Sequence, residues 1–96
     1  MANVYQFSKL SQPMQEKLLQ YIASRYSKRS SFNKTVTAYG MKQSFNRLAG
    51  TKDEHVTTQC FKEAMEACGY KSRPVDENLG ETANYEFNVY VLKRPR

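Results

Sequence analysis

Apolar residues recur every third or fourth position along three stretches of the chain, which predicts three amphipathic helices. In the first stretch the repeating residues are Met14, Leu18, Ile22 and Tyr26. Ser11 is a favoured N-cap residue, and Pro13 falls in the first helical turn, where its missing N–H is harmless. We therefore predict a helix that begins near Ser11 and ends near Ser27.

Two further helices follow from the same spacing. Thr37 is placed to cap the second helix and Gly50 to end it. The apolar face of the second helix is formed by Met41, Phe45 and Leu48. In the third helix Thr57 is the N-cap, Val56 matches a hydrophobic staple, and Gly69 ends the helix. The apolar face of the third helix is formed by Phe61, Ala64, Met65 and Cys68.

The remaining segments predict strands and loops. Apolar and polar residues alternate from Tyr85 to Leu92, which predicts a strand, and residues 70–75 form its partner, with Pro74 confining that partner to a sheet edge. Residues 76–84 are then a hairpin loop. Residues 35–37 are β-branched and predict a short strand, whereas residues 28–34 predict a basic loop. Residues 1–10 are an N-terminal arm without assigned structure, and residues 93–96 are a basic tail.

The order of these elements resembles a winged helix: helix, short strand, helix, helix, two-stranded hairpin. Two stretches carry the resemblance, Ala38 to Lys42 and His55-Val-Thr-Thr-Gln-Cys-Phe-Lys-Glu-Ala-Met-Glu-Ala-Cys-Gly-Tyr-Lys-Ser-Arg-Pro. They resemble the C-terminal winged helix of phage and plasmid primase-helicase proteins, and small uncharacterised proteins of phages and mobile elements. The expected fold is therefore a single α+β domain over residues 1–96, with three helices, a short strand and a C-terminal two-stranded β-hairpin.

The resemblance implies that the third helix enters the major groove and that the wing touches the DNA backbone or minor groove. The base-facing candidates are then Thr58, Gln59 and Lys62. The sequence departs from this pattern, because the outward face of the third helix also carries Glu63 and Glu66. The expected wing tip is acidic too, with Asp76, Glu77 and Glu81. Acids at both places repel phosphate, although a glutamate can accept a hydrogen bond from cytosine.

The charge of the chain is unevenly distributed. Fifteen Lys and Arg oppose nine Asp and Glu, which gives a net charge of +6. Residues 1–50 hold eight bases and one acid, and no acid lies between Lys17 and Lys52. A basic stretch with interleaved aromatics favours contact with phosphates and unpaired bases. Its phosphate-binding candidates are Arg25, Lys28, Arg29, Lys34, Lys42 and Arg47. A second basic group, which we expect near the strand pair, is Lys71, Arg73, Lys93, Arg94 and Arg96.

Two interpretations of this basic stretch stay open. The interleaved aromatics Tyr26, Phe32 and Tyr39 either stack on bases or belong to the core. We expect a nucleic-acid-binding protein of a phage or mobile element, a transcriptional regulator or a replication accessory, with DNA favoured over RNA. The alternative is a protein-interaction module, such as a phage-encoded inhibitor of a host nucleic-acid enzyme resembling an anti-CRISPR protein. A protein partner or a homodimer is compatible with either.

Other classes of function lack their signatures in the sequence. The chain contains no Gly-rich phosphate loop, nucleophile elbow or metalloprotease motif, so we expect no enzyme and no cofactor. His55 beside two acids is interpreted as a helix-entry residue, and without a Cys-x-x-Cys pair we expect no metal site. Cys60 and Cys68 lie on one helix, too far apart to form a disulfide with each other. With no apolar run of about 20 residues and no secretory signal, we expect a cytoplasmic protein without a membrane partner.

Overall fold

Three α-helices and short strands in two sheets make up the part of the chain that the structure describes. The computed structural model describes residues 3–49, 54–75 and 83–94. Its elements are β1 (Asn3–Val4), a 3-10 helix (Phe7–Lys9), α1 (Gln12–Arg25), β2 (Tyr26–Asn33), α2 (Ala38–Ala49), β3 (His55–Val56), α3 (Thr58–Ala67), β4 (Ser72–Pro74) and β5 (Tyr85–Val91). The predicted α+β class is confirmed.

The larger sheet has the strand order β2-β5-β4, with both pairings antiparallel. β5 is therefore the central strand, and the predicted hairpin between residues 72–74 and 85–91 is confirmed. β4 lies at an edge of this sheet, as Pro74 requires. The predicted hairpin loop falls largely on residues 76–82, and the acidic wing tip on Asp76, Glu77 and Glu81; both lie outside the described residues.

The core lies between the three helices and one face of this sheet. Its fully buried large side chains are Phe45, Phe61, Phe87, Leu18, Ile22, Met65, Val56, Val89 and Cys60. β5 contributes every second residue, as a strand with one covered face must. The predicted helical stripes supply most of the rest. Leu48 is an exception: it is 65% exposed, so its assignment to the apolar face of α2 was wrong.

The helix ends match local chemistry. Ser11 caps α1 by accepting a hydrogen bond from the Met14 N–H, and Thr57 caps α3 by accepting one from the Cys60 N–H. α3 ends in a Schellman motif. Gly69 adopts a left-handed φ of 90°, and the following Tyr70 N–H donates to the Met65 carbonyl. The N-caps predicted at Ser11 and Thr57 and the role of Gly69 are thus confirmed, whereas Gly50 lies outside the described residues.

The segment after α1 corrects the sequence prediction. α1 ends at Arg25, and the basic loop expected over residues 28–34 is mostly the eight-residue strand β2. The strand expected over residues 35–37 is absent, because Asn33 ends β2 with a turn. Its Oδ1 accepts hydrogen bonds from both the N–H and the hydroxyl of Thr35. Apolar and polar residues do not alternate along β2, so its sequence does not predict a strand. β2 is a strand because it pairs with β5.

The N-terminal arm is also structured. β1 pairs in parallel with β3, and the Thr57 N–H and hydroxyl both donate to the Val4 carbonyl. His55 therefore lies on a strand, where it precedes α3 as expected for a helix-entry residue. Beyond β1, the 3-10 helix continues the arm, and the Phe7 N–H donates to Oε1 of Glu63 at 2.9 Å. The arm thus packs against α3.

Candidate nucleic-acid interface

The larger sheet gathers basic side chains from both basic groups of the sequence. β2 carries the first group, and its pairing with β5 places it beside the second group on and near β4 and β5. The ranges 25–34, 71–75 and 83–94 together contain eight basic residues and one acidic residue, Glu86. The eight bases are Arg25, Lys28, Arg29, Lys34, Lys71, Arg73, Lys93 and Arg94. The described residues on and beside this sheet therefore carry a net charge of +7.

The face of this sheet that points away from the core has its own composition. On β5, Phe87 and Val89 are buried toward the helices, so Glu86, Asn88 and Tyr90 lie on the opposite face. We call this opposite face the outer face. It carries the ring of Tyr90, which is 54% exposed.

Two guanidinium groups lie over aromatic rings at the outer face. The Cζ of Arg29 lies 5.6 Å from the centroid of the Tyr90 ring, and the Cζ of Arg73 lies 4.4 Å from that of Phe32. Both distances fall within the range of cation–π attraction. Arg73 also donates from Nε to Oε1 of Glu86, whose side chain is only 10% exposed. These contacts hold two arginines at the outer face of the sheet.

One end of the sheet collects further cations. The Leu92 N–H donates to the Arg25 carbonyl at 2.8 Å, so Lys93 and Arg94 leave the sheet next to the end of α1. Both side chains are exposed. The Arg25 guanidinium lies 4.9 Å from the centroid of the Tyr21 ring. Tyr90 pairs with Ser27 at this same end of the sheet, so exposed charge and an exposed ring are neighbours.

Lys71 extends this basic surface, whereas Lys28 lies on the helix-facing side of the sheet, because it pairs with the inward-pointing Val89. Lys28 is exposed on β2, opposite Val89, and its ammonium group reaches Gly69 at the end of α3. Lys71 is exposed just before β4, where its N–H donates to Oδ1 of Asn88.

The structure separates two of the predicted phosphate contacts from this sheet. Lys42 and Arg47 lie on α2, and Arg47 is exposed. Lys42 is half-buried, lies 4.9 Å from the centroid of the exposed Tyr39 ring, and has its pKa lowered by burial. It lines a polar cavity of about 180 Å³ with His55, Tyr39, Thr57, Thr58 and Gln59. Lys34 stays with the sheet, in the turn that follows β2.

The base-facing candidates on α3 are engaged within the molecule. Thr58 is buried, with 9% of its surface exposed. Gln59 donates to Glu63 at 3.2 Å and accepts from the Tyr85 hydroxyl at 3.4 Å. Lys62 forms an ion pair with Glu66 at 3.6 Å and lies 4.9 Å from the centroid of the Tyr85 ring. Reading bases with these side chains would require these contacts to break.

The acids near α3 are likewise occupied by groups of the protein itself. Glu63 accepts from the Phe7 N–H and from Gln59, and Glu66 accepts from the Ser72 hydroxyl at 2.9 Å. Glu54 accepts from both the N–H and the hydroxyl of Ser11. These carboxylates therefore fasten the N-terminal arm, α1 and β4 to the third helix.

The aromatic candidates divide between core and surface. Tyr26 is buried, and desolvation by burial raises the pKa of its hydroxyl. Phe32 is half-buried beneath Arg73, and Tyr39 is 50% exposed on α2. Sequence reasoning did not name Tyr90 as a site residue. The alternation along β5 carried the signal, because it places Tyr90 on the face opposite Phe87 and Val89.

Among the described residues, no group of three or more His, Cys, Asp and Glu side chains is placed to hold a metal ion. Cys60 and Cys68 are free thiols, and burial raises the pKa of Cys60 to about 12. No helix within 3–49, 54–75 or 83–94 is long and apolar enough to cross a membrane.

Comparison with known proteins gives no match: the chain matches no protein-family model, no curated protein and no solved structure.

Proposed function

We propose that this protein is a small, non-enzymatic nucleic-acid-binding protein and that the β2-β5-β4 sheet makes its phosphate contacts. The observation that carries the proposal is the charge of the described residues on and beside the sheet: eight bases, three of them on its strands, against one acid, which is paired with Arg73. Lys and Arg that neutralise phosphates release condensed counterions, and this release drives binding. A positively charged surface of this extent is suited to binding a polyanion.

The element order supports a role for this fold in nucleic-acid binding. A strand between the first two helices pairs with the last strand of a C-terminal hairpin, as expected for a winged helix. We therefore propose a winged-helix variant from a phage or mobile element that acts as a transcriptional regulator or replication accessory. In this variant the sheet, rather than α3, is the main contact, because the α3 side chains Gln59 and Lys62 are bonded within the protein.

The alternative function, docking to a basic protein surface through the acids of α3, has less support. Glu63 and Glu66 already accept hydrogen bonds from the protein itself. A carboxylate that accepts hydrogen bonds within the protein has fewer acceptor sites to offer a partner. The charge of the described sheet favours an anionic partner instead.

The test is a salt titration of binding to duplex DNA, single-stranded DNA and RNA. The double variant Arg29→Gln/Lys71→Gln removes two charges from the outer face of the sheet. If both contact phosphates, the slope of log K against log salt falls by about 1.4 for a single strand or about 1.8 for a duplex. The matched control is Lys9→Gln/Lys17→Gln, which removes two exposed charges from the 3-10 helix and α1 and should leave the slope unchanged.

Two results would overturn this proposal. Absence of binding by the wild-type protein to all three nucleic acids at low salt refutes the function. An equal change of slope in the two double variants refutes the assignment of the contacts to the sheet, because the net charge alone would then explain binding. Circular dichroism of each variant confirms that it is folded.

A further inference from the structure

The outer face combines two chemistries that recognise different parts of a nucleic acid. Its lysines and arginines match phosphates, whereas the Tyr90 ring and the guanidinium plane of Arg73 match the flat faces of bases. Tyr90 is 54% exposed, and the Arg73 side chain is 44% exposed above the Phe32 ring. Each is a planar group that is about half exposed to solvent.

We propose that the outer face binds single-stranded DNA by stacking unpaired bases on Tyr90 and on the Arg73–Phe32 pair. This inference rests on the proposed nucleic-acid-binding function and assigns its substrate. In a duplex the base faces are covered by neighbouring base pairs, so exposed planar groups on a sheet gain little from it. In a single strand each base has an open face, and aromatic stacking is tolerant of base identity.

The spacing of the two planar groups allows one strand to contact both of them. Arg73 pairs with Glu86 across the sheet, and Ser27 pairs with Tyr90. The two cross-strand pairs therefore lie four residues apart along β5. At about 3.4 Å per residue this separation is about 14 Å. One single strand that lies along β5 can therefore place different unstacked bases on the two groups.

The cations lie where a strand along β5 would carry its phosphates. Arg29 lies beside Tyr90, and Lys93 and Arg94 leave the sheet at the same end. Lys71 precedes β4 at the other side of β5. A second copy of this face would bring like charges together, which disfavours a symmetric dimer through it and favours an anionic occupant.

The choice of DNA over RNA follows from the hydrogen-bond acceptors of this face. Recognition of RNA uses the 2′-hydroxyl, which donates to an acceptor on the protein. On the outer face of β5, Glu86 accepts from Arg73 and Asn88 accepts from the Lys71 N–H, so both of these side chains are already engaged within the protein. Stacking and phosphate contact need no 2′-hydroxyl, so the contacts proposed for this face are available to DNA.

The test compares Tyr90→Ala with Tyr39→Ala by fluorescence anisotropy on a 12-nucleotide single-stranded DNA. Tyr39 is a matched control because it is 50% exposed and also lies under a cation, but on α2. Tyr90→Ala should weaken binding about 5- to 150-fold, which is the range of aromatic stacking on a base. Tyr39→Ala should change affinity less than twofold, and Tyr90→Phe, which keeps the ring, should bind as the wild type does.

A second readout reports stacking directly. A 2-aminopurine base in the same oligonucleotide loses fluorescence when it stacks on a ring. The wild type should therefore quench it at saturation, and Tyr90→Ala should quench it much less.

The outcomes separate this inference from the proposed function. Equal losses in Tyr90→Ala and Tyr39→Ala, or no loss in Tyr90→Ala, overturn the stacking site even if the wild type binds DNA. Tighter wild-type binding to a matched duplex or RNA strand overturns the choice of single-stranded DNA. If the wild type binds no nucleic acid, the proposed function itself fails.

Discussion

Removal of a buried negative charge from the sheet should strengthen binding to nucleic acid. Glu86 is the single acid in the described part of the sheet, and it holds Arg73 through a charged hydrogen bond. Glu86→Gln keeps the shape and an oxygen acceptor but removes the charge. The charge of the Arg73 guanidinium, whose side chain is 44% exposed, is then no longer offset by a carboxylate and is available to a phosphate. One added phosphate contact raises the slope of log K against log salt by about 0.7 for a single strand.

The size of the effect follows from this slope. Between 50 and 200 mM salt, the ratio of variant to wild-type affinity should change by about threefold, with the variant tighter at low salt. The loss of stability should be small. A charged hydrogen bond is worth about 1.5–3 kcal/mol, and the variant keeps a neutral one, so about 1 kcal/mol is lost. For a chain of this size that lowers the melting temperature by about 4–8 °C.

The assay is a salt series of fluorescence anisotropy, with thermal denaturation as the check on folding. Glu16→Gln is the control, because it removes an exposed acid on α1, away from the sheet. It should leave the slope unchanged. A folded Glu86→Gln protein with an unchanged or smaller slope would refute the role of the sheet charge and of Arg73 in phosphate contact.

Three further predictions concern the fold and its titratable groups. Ile22→Ala should lower the free energy of unfolding by about 2–5 kcal/mol in urea titrations, because Ile22 is fully buried. Leu48→Ala, at a 65% exposed position, should change it by less than about 0.5 kcal/mol, and a similar loss in both would contradict the packing described. The Cys60 thiol, with its pKa raised to about 12 by burial, should resist iodoacetamide at pH 8 until the protein unfolds, as mass spectrometry would record. Desolvation, together with a nearby lysine, lowers the pKa of His55, so the unfolded chain binds this proton more readily. Stability should therefore fall as pH drops below about 6.5, and His55→Asn should lose that part of the pH dependence measured by urea unfolding.

The helices could be predicted because their signals are local. Ser11 and Thr57 cap through their own side chains, and Gly69 ends α3 because its φ of 90° suits glycine. β2 could not be predicted, since a polar strand is stabilised by its partner rather than by its own pattern. The paired arm is a second example: β1 is held by a strand more than 50 residues away in sequence.

The candidate site was predicted in part, for related reasons. The sequence identifies which residues are basic, and it suggested that the second basic group lies near the strand pair. It does not show that β2 joins the two groups on one sheet, because that depends on long-range pairing. Nor does it show that Lys62 is paired with Glu66 and covers Tyr85, since only the fold brings Tyr85 against α3.

The position of β2 at the sheet edge has a consequence for solubility. Among the described strands only β5 pairs with β2, so the other side of an eight-residue strand presents unpaired backbone groups. Such edges promote aggregation unless charge or irregular pairing protects them. β2 has both: Lys28 and Arg29 lie on it, and its register shifts between Lys28 and Asn33. A bound polyanion that neutralises these lysine and arginine charges removes part of that protection. Self-association is therefore expected at sub-saturating nucleic acid, where neutralised edges from different molecules can meet.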